Sequence, residues 1–454
     1  MEANNELIKL YGITKVDKME PKSTEPRNRL PQCVNWLKKY FWEGQSLSMR
    51  HETALRETLN DNTPWYKVVM VKHRRVVGLL LPALFFHFFW WGIFIKYDLW
   101  HLFQDKYYMS ITMIFGSMIA GMTSEGGGAV AYPVMTLAFN IKPSVARDFS
   151  LMIQSCGMSA AAFTIFFMKI RVEYASLIFC SLGGVAGMIF GLHVIDPVLT
   201  PPYKKMGFVC IWFTFAFALF LLNRYRKRTT YKTIPDFKIW KGIVLFITGF
   251  VGGLFSSFAG SGLDICSFSV LTLLFRVTEK TATPTSVILM AGNTLVGFYW
   301  RHVMMDGGIS KEAWEFMGVC VPIVVFGAPF GSVIGTHFHR LVLAALIYII
   351  DTVALVSAFS LVPLTPWLIG TSVGIIVFGF IFFFITTKVG ERLMMNINER
   401  RTGNEELESC EEPDIYENKL DSRPNNVPNE QTHQMSAVNE DQAARQSQIE
   451  VTLF

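Results

Sequence analysis

The chain reads as an all-α integral membrane protein of about eight full spans plus two interrupted re-entrant hairpins, arranged as two inverted repeats. Three observations predict this class. Apolar runs of about 20 residues recur along the chain, each long enough at ~1.5 Å per residue to cross a ~30 Å hydrocarbon core. Two stretches of the same hydropathy are broken in the middle by glycines. The breaks, and a glycine-striped segment that follows each of them, occur twice. Composition agrees: 51% of the 454 residues are hydrophobic and only 17% are charged, against roughly 25% charged in soluble domains. The net charge of +5 comes from basic residues flanking spans and forms no nucleic-acid motif. The seven cysteines are an odd number without metal or disulfide spacing. Cys156, Cys180, Cys210 and Cys266 lie in apolar runs and read as packing residues.

Residues 1–75 form a polar arm containing one amphipathic patch, "CVNWLKKYFW" at 33–42, suited to a membrane surface or to a cytosolic segment. The arm shows no cleavable signal, so the first span is expected to target the protein. That span is 76–95, and it opens a membrane domain over 76–387. Further full spans are expected at 149–169, 174–196, 206–223, 285–304, 315–337, 341–361 and 366–387. The regions 109–139 and 241–277 do not fit a simple span. The most basic loop, 224–241, and "VKHRR" at 71–75 should both face the cytoplasm. They do so only if 109–139 enters and returns on one side, which predicts a re-entrant hairpin or paired half-helix. Such backbone is tolerated at membrane depth only where protein buries it or it lines a watery cavity. Residues 388–454 are polar and acid-leaning and predict a disordered cytosolic tail. The terminal "VTLF" matches the pattern that adds to a PDZ-type sheet edge. Both termini are expected in the cytoplasm, with the plasma membrane favoured over internal membranes.

Repeat one spans 109–223 and repeat two 241–361. Leu137, Phe139, Ala146 and Ser150 align with Leu273, Phe275, Ala282 and Ser286 at an offset of 136 residues, which also places Gly126 on Gly262. A sharper match joins Gly183, Gly187, Gly191 and His193 to Gly327, Gly331, Gly335 and His337, both G-xxx-G-xxx-G-x-H. Glycines four apart make a smooth helix stripe on which another helix packs closely. Each copy contains three full crossings, so the second must lie inverted, a recurring build of secondary transporters.

With these motifs the chain resembles the sulfite exporter TauE/SafE-like membrane transporters. The resemblance rests on "SEGGGAVAYPVMTL" with "KPSVARDFSLM", and on "FAGSGLDICSFSVLTLLF" with "TATPTSVIL", and it covers roughly residues 76–387. It implies duplicated halves and the movement of sulfur-containing or organic anions. The chain departs from the family in its long polar termini and in the acids Glu125 and Asp264 at the breaks.

A broken helix exposes N–H groups that favour an anion, and glycine lets a ligand approach the backbone. The candidate substrate contacts are Thr123, Ser124, Gly126, Gly127 and Gly128 in the first half. In the second they are Ser256, Ser257, Gly260, Ser261, Gly262 and Asn293. The alternative is close packing and capping at the tips. Mid-membrane carboxylates are costly, so Glu125, Asp264 and Asp351 are candidates for proton coupling. Capping of a half-helix and binding of a coupling cation are the competing uses. His193 and His337 read as interfacial hydrogen-bonders, His87 as packing, and Arg301 and His302 as anchors. There is no HExxH, nucleophile elbow or P-loop, and no catalytic, metal or cofactor residue is expected. A secondary transporter of small anions is the leading reading, its partners being the substrate and the lipid bilayer. A cation-coupled or cation-carrying transporter and a non-transporting receptor or scaffold are the alternatives. Oligomeric state is open, since glycine stripes serve contacts within or between chains.

Overall fold

The structure is a computed structural model that describes residues 68, 73–123, 125–224, 230–335, 338 and 340–411. The amphipathic patch at 33–42, Ser124, His337 and the terminal "VTLF" lie outside the described residues. The chain divides into two units, Met1–Met394 and Met395–Phe454. The described residues form a series of helices. They are α1 (Arg74–Tyr97), α2 (Leu102–Met122), the short α3 (Gly128–Pro133), α4 (Pro143–Phe167), α5 (Tyr174–Phe190) and α6 (Pro201–Arg224). After them come α7 (Ile239–Ala259), the short α8 (Leu263–Ser269), α9 (Glu279–Tyr299), α10 (Lys311–Gly335), α11 (Arg340–Leu361) and α12 (Pro366–Glu411). Eight of these are long and apolar enough to cross a membrane: α1, α4, α5, α6, α7, α10, α11 and α12. The protein is an all-α integral membrane protein with multiple passes.

The composition of that set corrects the sequence reading in two places. The region 241–277 is not a simple hairpin of two short arms: its first arm, α7, is a full 21-residue helix. Three of its glycines, Gly249, Gly252 and Gly253, sit where a neighbouring backbone presses in. Conversely, 285–304 is helical as α9 with a five-residue π turn at Trp300–Met304, yet its Thr, Ser and Asn content leaves it outside the apolar set. A third difference concerns the tail. The last helix continues to Glu411, where disordered chain was expected from 388. The stretch "ERLMMNINERR" is made of good helix formers and no proline interrupts it before Pro413.

Helix pairing follows the glycine stripes. α5 packs along α7, and α10 packs along α2. A methyl group on Gly183 or Gly187 would run into the Phe246 or Phe250 carbonyl of α7, and one on Gly253 into that of Gly184. Likewise a methyl on Gly331 would meet the Met118 carbonyl of α2, and one on Gly121 the Ala328 carbonyl of α10. Each striped helix therefore lies backbone to backbone on the long arm of the other broken region.

Backbone conformation recurs at the same offset of 136. Five-residue π turns end the two half-helices, at Val134–Ala138 and Val270–Leu274. They close with matching bonds, Phe139 N–H to Val134 O and Phe275 N–H to Val270 O, at 3.0 and 3.1 Å. Asn140 and Arg276 then both take the left-handed region, at φ 52° and 56°. α4, which follows the first half-helix, is the most deeply buried of the eight and contacts α9 and α10.

Candidate functional site

The first break begins where α2 stops. Thr123 turns extended, and both its N–H and its Oγ1 return to the Ile119 carbonyl at 2.9 and 2.8 Å. Gly126 then takes φ +70°, a conformation that side chains resist, and α3 starts at Gly128 with no side-chain cap. At the second break Gly260 takes φ +78° and its N–H closes on the Ser256 carbonyl at 2.8 Å. Ser256 Oγ receives the Leu263 N–H at 3.2 Å. Asp264 Oδ1 accepts the N–H groups of Gly262 and Ile265 at 3.1 and 3.0 Å. Asp264 is thus a cap at the start of α8, a use of carboxylates that N-terminal N–H groups favour.

The two breaks meet. Ser261 Oγ lies 3.3 Å from the Glu125 carbonyl and 3.2 Å from Asp264 Oδ2. Gln154 of α4 ties the junction to the core: its Nε2 donates to the Gly260 and Ser150 carbonyls at 2.9 and 3.1 Å. Glu125, Ser261, Asp264 and Gln154 are all buried, at 0–1% exposure. Thr123, Gly126, Asp264 and Ser286 line a narrow gap beside them.

Glu125 is satisfied differently from Asp264. Neither of its carboxylate oxygens receives a hydrogen-bond donor, nor does Asp351 Oδ2. The two side chains instead lie close enough to interact electrostatically, although 226 residues separate them in sequence. Asp351 belongs to α11 and is 2% exposed. Two buried carboxyl groups this close cannot both ionise without strong repulsion, and Asp264 adds a third acid nearby. Among the described residues, no Lys, Arg or His forms an ion pair with any of the three.

A family model described as sulfite exporter TauE/SafE matches residues 109–358, more than half of the chain. The chain belongs to the sulfite exporter TauE/SafE family. This is a family of membrane transporters, and the matched span runs from the first broken region to α11. It includes both breaks, the glycine stripes and Asp351. Comparison with curated proteins gave no match, and comparison with solved structures gave none.

Within this TauE/SafE chain the expected site residues divide into three groups. Thr123, Gly126, Gly127, Gly128, Gly260, Ser261, Gly262 and Asp264 come together at the junction, and Glu125 with Asp351 forms the carboxyl pair beside it. Ser256 is present there but is engaged in capping α8. Ser257 and Asn293 stand away. Ser257 bonds the Leu254 carbonyl at 2.7 Å and packs against Gly191. Asn293 lies beside Gly184, with both amide atoms buried and unpartnered.

Sequence reasoning missed two features. Gln154 was legible only as an amide in the apolar run "SLMIQSCG". The other is a buried charge network at the start of α4. Arg147, 2% exposed, holds Asp148 at 2.7 Å and pairs with Asp196. Lys204 reaches Asp196 at 2.6 Å, and Arg301 reaches Asp148 at 3.3 Å. Arg301, expected only to anchor a span end, joins α9 to α4. Trp300 Nε1 donates to His193 Nε2 at 2.9 Å, so that ring nitrogen is the acceptor.

Proposed function

We propose that this chain is a secondary transporter of small anions, of the sulfite and related sulfur-oxyanion or organic-acid class, coupled to protons. The observation that carries the proposal is the meeting of two helix breaks beside a carboxyl pair that has no cationic partner among the described residues. The first break offers uncapped backbone at Gly126–Gly128 together with the Thr123 and Ser261 hydroxyls. An anion bound there is repelled by any ionised neighbour among Glu125, Asp351 and Asp264. Protons on the Glu125–Asp351 pair remove most of that repulsion, so anion and proton occupy the centre together and leave it together. Asp264, whose Oδ1 is committed to two N–H groups, keeps its position through the cycle. The recurrence of backbone conformation at offset 136 supports two inverted repeats that exchange access around the junction. The basic loop at 224–241 supports cytoplasmic termini.

The test is flux of labelled sulfite, sulfate and small organic anions into proteoliposomes with and without an imposed pH gradient. The expected result is gradient-driven uptake of at least one of these anions, with the dependence on the gradient lost in Glu125→Gln and in Asp351→Asn. Gradient-driven uptake that survives both changes assigns these acids to structure. Absence of flux for every anion overturns the substrate class.

A further inference from the structure

We propose that a sodium ion binds where the two breaks meet, held by Asp264 Oδ2, Gln154 Oε1 and Ser261 Oγ. The geometry begins at Gly126. A methyl group built on its α-carbon would lie 2.7 Å from Asp264 Oδ2, 2.7 Å from Gln154 Oε1 and 3.3 Å from Ser261 Oγ. Three oxygens, two from the second break and one from α4, therefore converge on one point above a residue of the first break that has no side chain.

The orientation of the Gln154 amide follows from its other end. Nε2 donates to two backbone carbonyls, Ser150 and Gly260, and an oxygen placed there would face two acceptors. The flip is set by that network, so the atom aimed at Gly126 is the oxygen. Gln154 Oε1 is buried and has no hydrogen-bond donor, in a side chain that is 1% exposed. A buried acceptor left without a partner is destabilising, and a cation between it and Asp264 Oδ2 supplies that partner. Oδ1 is already used by two backbone N–H groups, whereas Oδ2 accepts only from the Ser261 hydroxyl, at 3.2 Å.

The donor set selects the ion. All the donors are oxygens, which suits a hard cation and disfavours thiophilic metals. Only one carboxylate is in direct contact and the rest are neutral, a balance that suits a single positive charge. The Glu125 carbonyl, 3.3 Å from Ser261 Oγ, and the Thr123 hydroxyl at the same cavity can complete the shell. Unwound carbonyls at broken helices are a recurring source of sodium ligands. The site is distinct from the Glu125–Asp351 pair and does not depend on which anion is carried.

The experiment is thermal unfolding of the purified full-length protein in detergent, titrated with NaCl against choline chloride and KCl at constant ionic strength. An ion that binds only the folded state raises the midpoint saturably. The expected result is a saturable rise specific to sodium, with apparent affinity weakened at least tenfold in Gln154→Met and in Ser261→Ala and unchanged within twofold in Gly92→Ala, where a methyl meets nothing within 4 Å. Methionine is the residue that occupies the equivalent position, Met290, at the offset of 136. Ser261→Ala serves as the second variant if Gln154→Met does not fold. A wild-type midpoint indifferent to sodium overturns the proposal. So does sodium specificity that survives both changes, and so does a midpoint raised by acid in place of sodium, which would put a proton between Asp264 and Gln154. Because the readout is binding, its failure leaves anion transport untouched, and the failure of anion transport leaves it untouched in turn.

Discussion

Asp264 and Glu125 are both buried acids at a helix break, yet their oxygens meet opposite surroundings. The first receives backbone N–H groups and acts as a cap; the second faces another carboxyl. What a buried carboxylate does is decided by which donors reach it, and those come from residues distant in sequence. This is why the acids themselves were legible in the sequence while their division of labour was not. Glu125 and Asp351 are brought together only by the packing of α11 near the first break, and Gln154 only by the burial of α4. A buried acid outside the membrane spans gives a separate test. Glu173, in the loop between α4 and α5, accepts the Ile234 N–H at 2.9 Å. Burial raises its carboxyl above the usual value, against the lowering effect of its backbone hydrogen bonds. The folded protein therefore keeps that proton to a higher pH than the unfolded chain does. Stability should fall as pH rises from the ordinary Glu value, about 4.3, through the raised one. In Glu173→Gln, which retains an acceptor for Ile234, the midpoint of thermal unfolding should lose that decline while matching wild type at lower pH. A parallel decline in both proteins would remove Glu173 as its source.

At the scale of elements, the glycine stripes act as tracks for close approach. Methyl groups on Gly187 of α5 or Gly331 of α10 have no space, because each would overlap a carbonyl of the facing helix. Gly92 in α1 is the contrast, with nothing within 4 Å of a built methyl. Gly187→Ala is expected to cost about 1–3 kcal/mol or more through overpacking. Gly92→Ala should be neutral or slightly stabilising, since alanine is the better helix former by about 1 kcal/mol. Thermal unfolding in detergent of the two variants side by side checks this, and equal effects would contradict the packing assignment. The stripes and most span positions were readable from spacing alone, because helical periodicity is a local property. The length of α7 was not. Its glycines at 242, 249, 252 and 253 resemble breakers in sequence, and only the fold shows that they are contacts: Gly249 and Gly253 with the α5 backbone, Gly242 with the Phe179 ring and Gly252 with Leu263.

At the scale of the whole molecule, two broken regions are held together by long helices that cross between the halves, α5 on α7 and α10 on α2. Both breaks are thereby fixed against α4 and against each other. The charge network of Arg147, Asp148, Asp196, Lys204 and Arg301 ties α4 and α6 to the segments that follow α5 and α9, one turn from the Ser150 that Gly260 abuts. Its equivalents in the second half at offset 136 begin with Thr283 and Pro284, so this tie is present in one half alone. A methyl on Gly128 would lie 2.8 Å from Ser261 Cβ and 2.9 Å from Gln154 Nε2, so the proposed anion site has no room for one there. The most direct test is counterflow of labelled sulfite in proteoliposomes, comparing wild type with Gly128→Ala at matched reconstitution of folded protein. Saturable exchange by the wild type, reduced at least tenfold in Gly128→Ala, is the predicted result. Exchange by Gly128→Ala at the wild-type rate would place the pathway elsewhere and contradict the junction as the anion site.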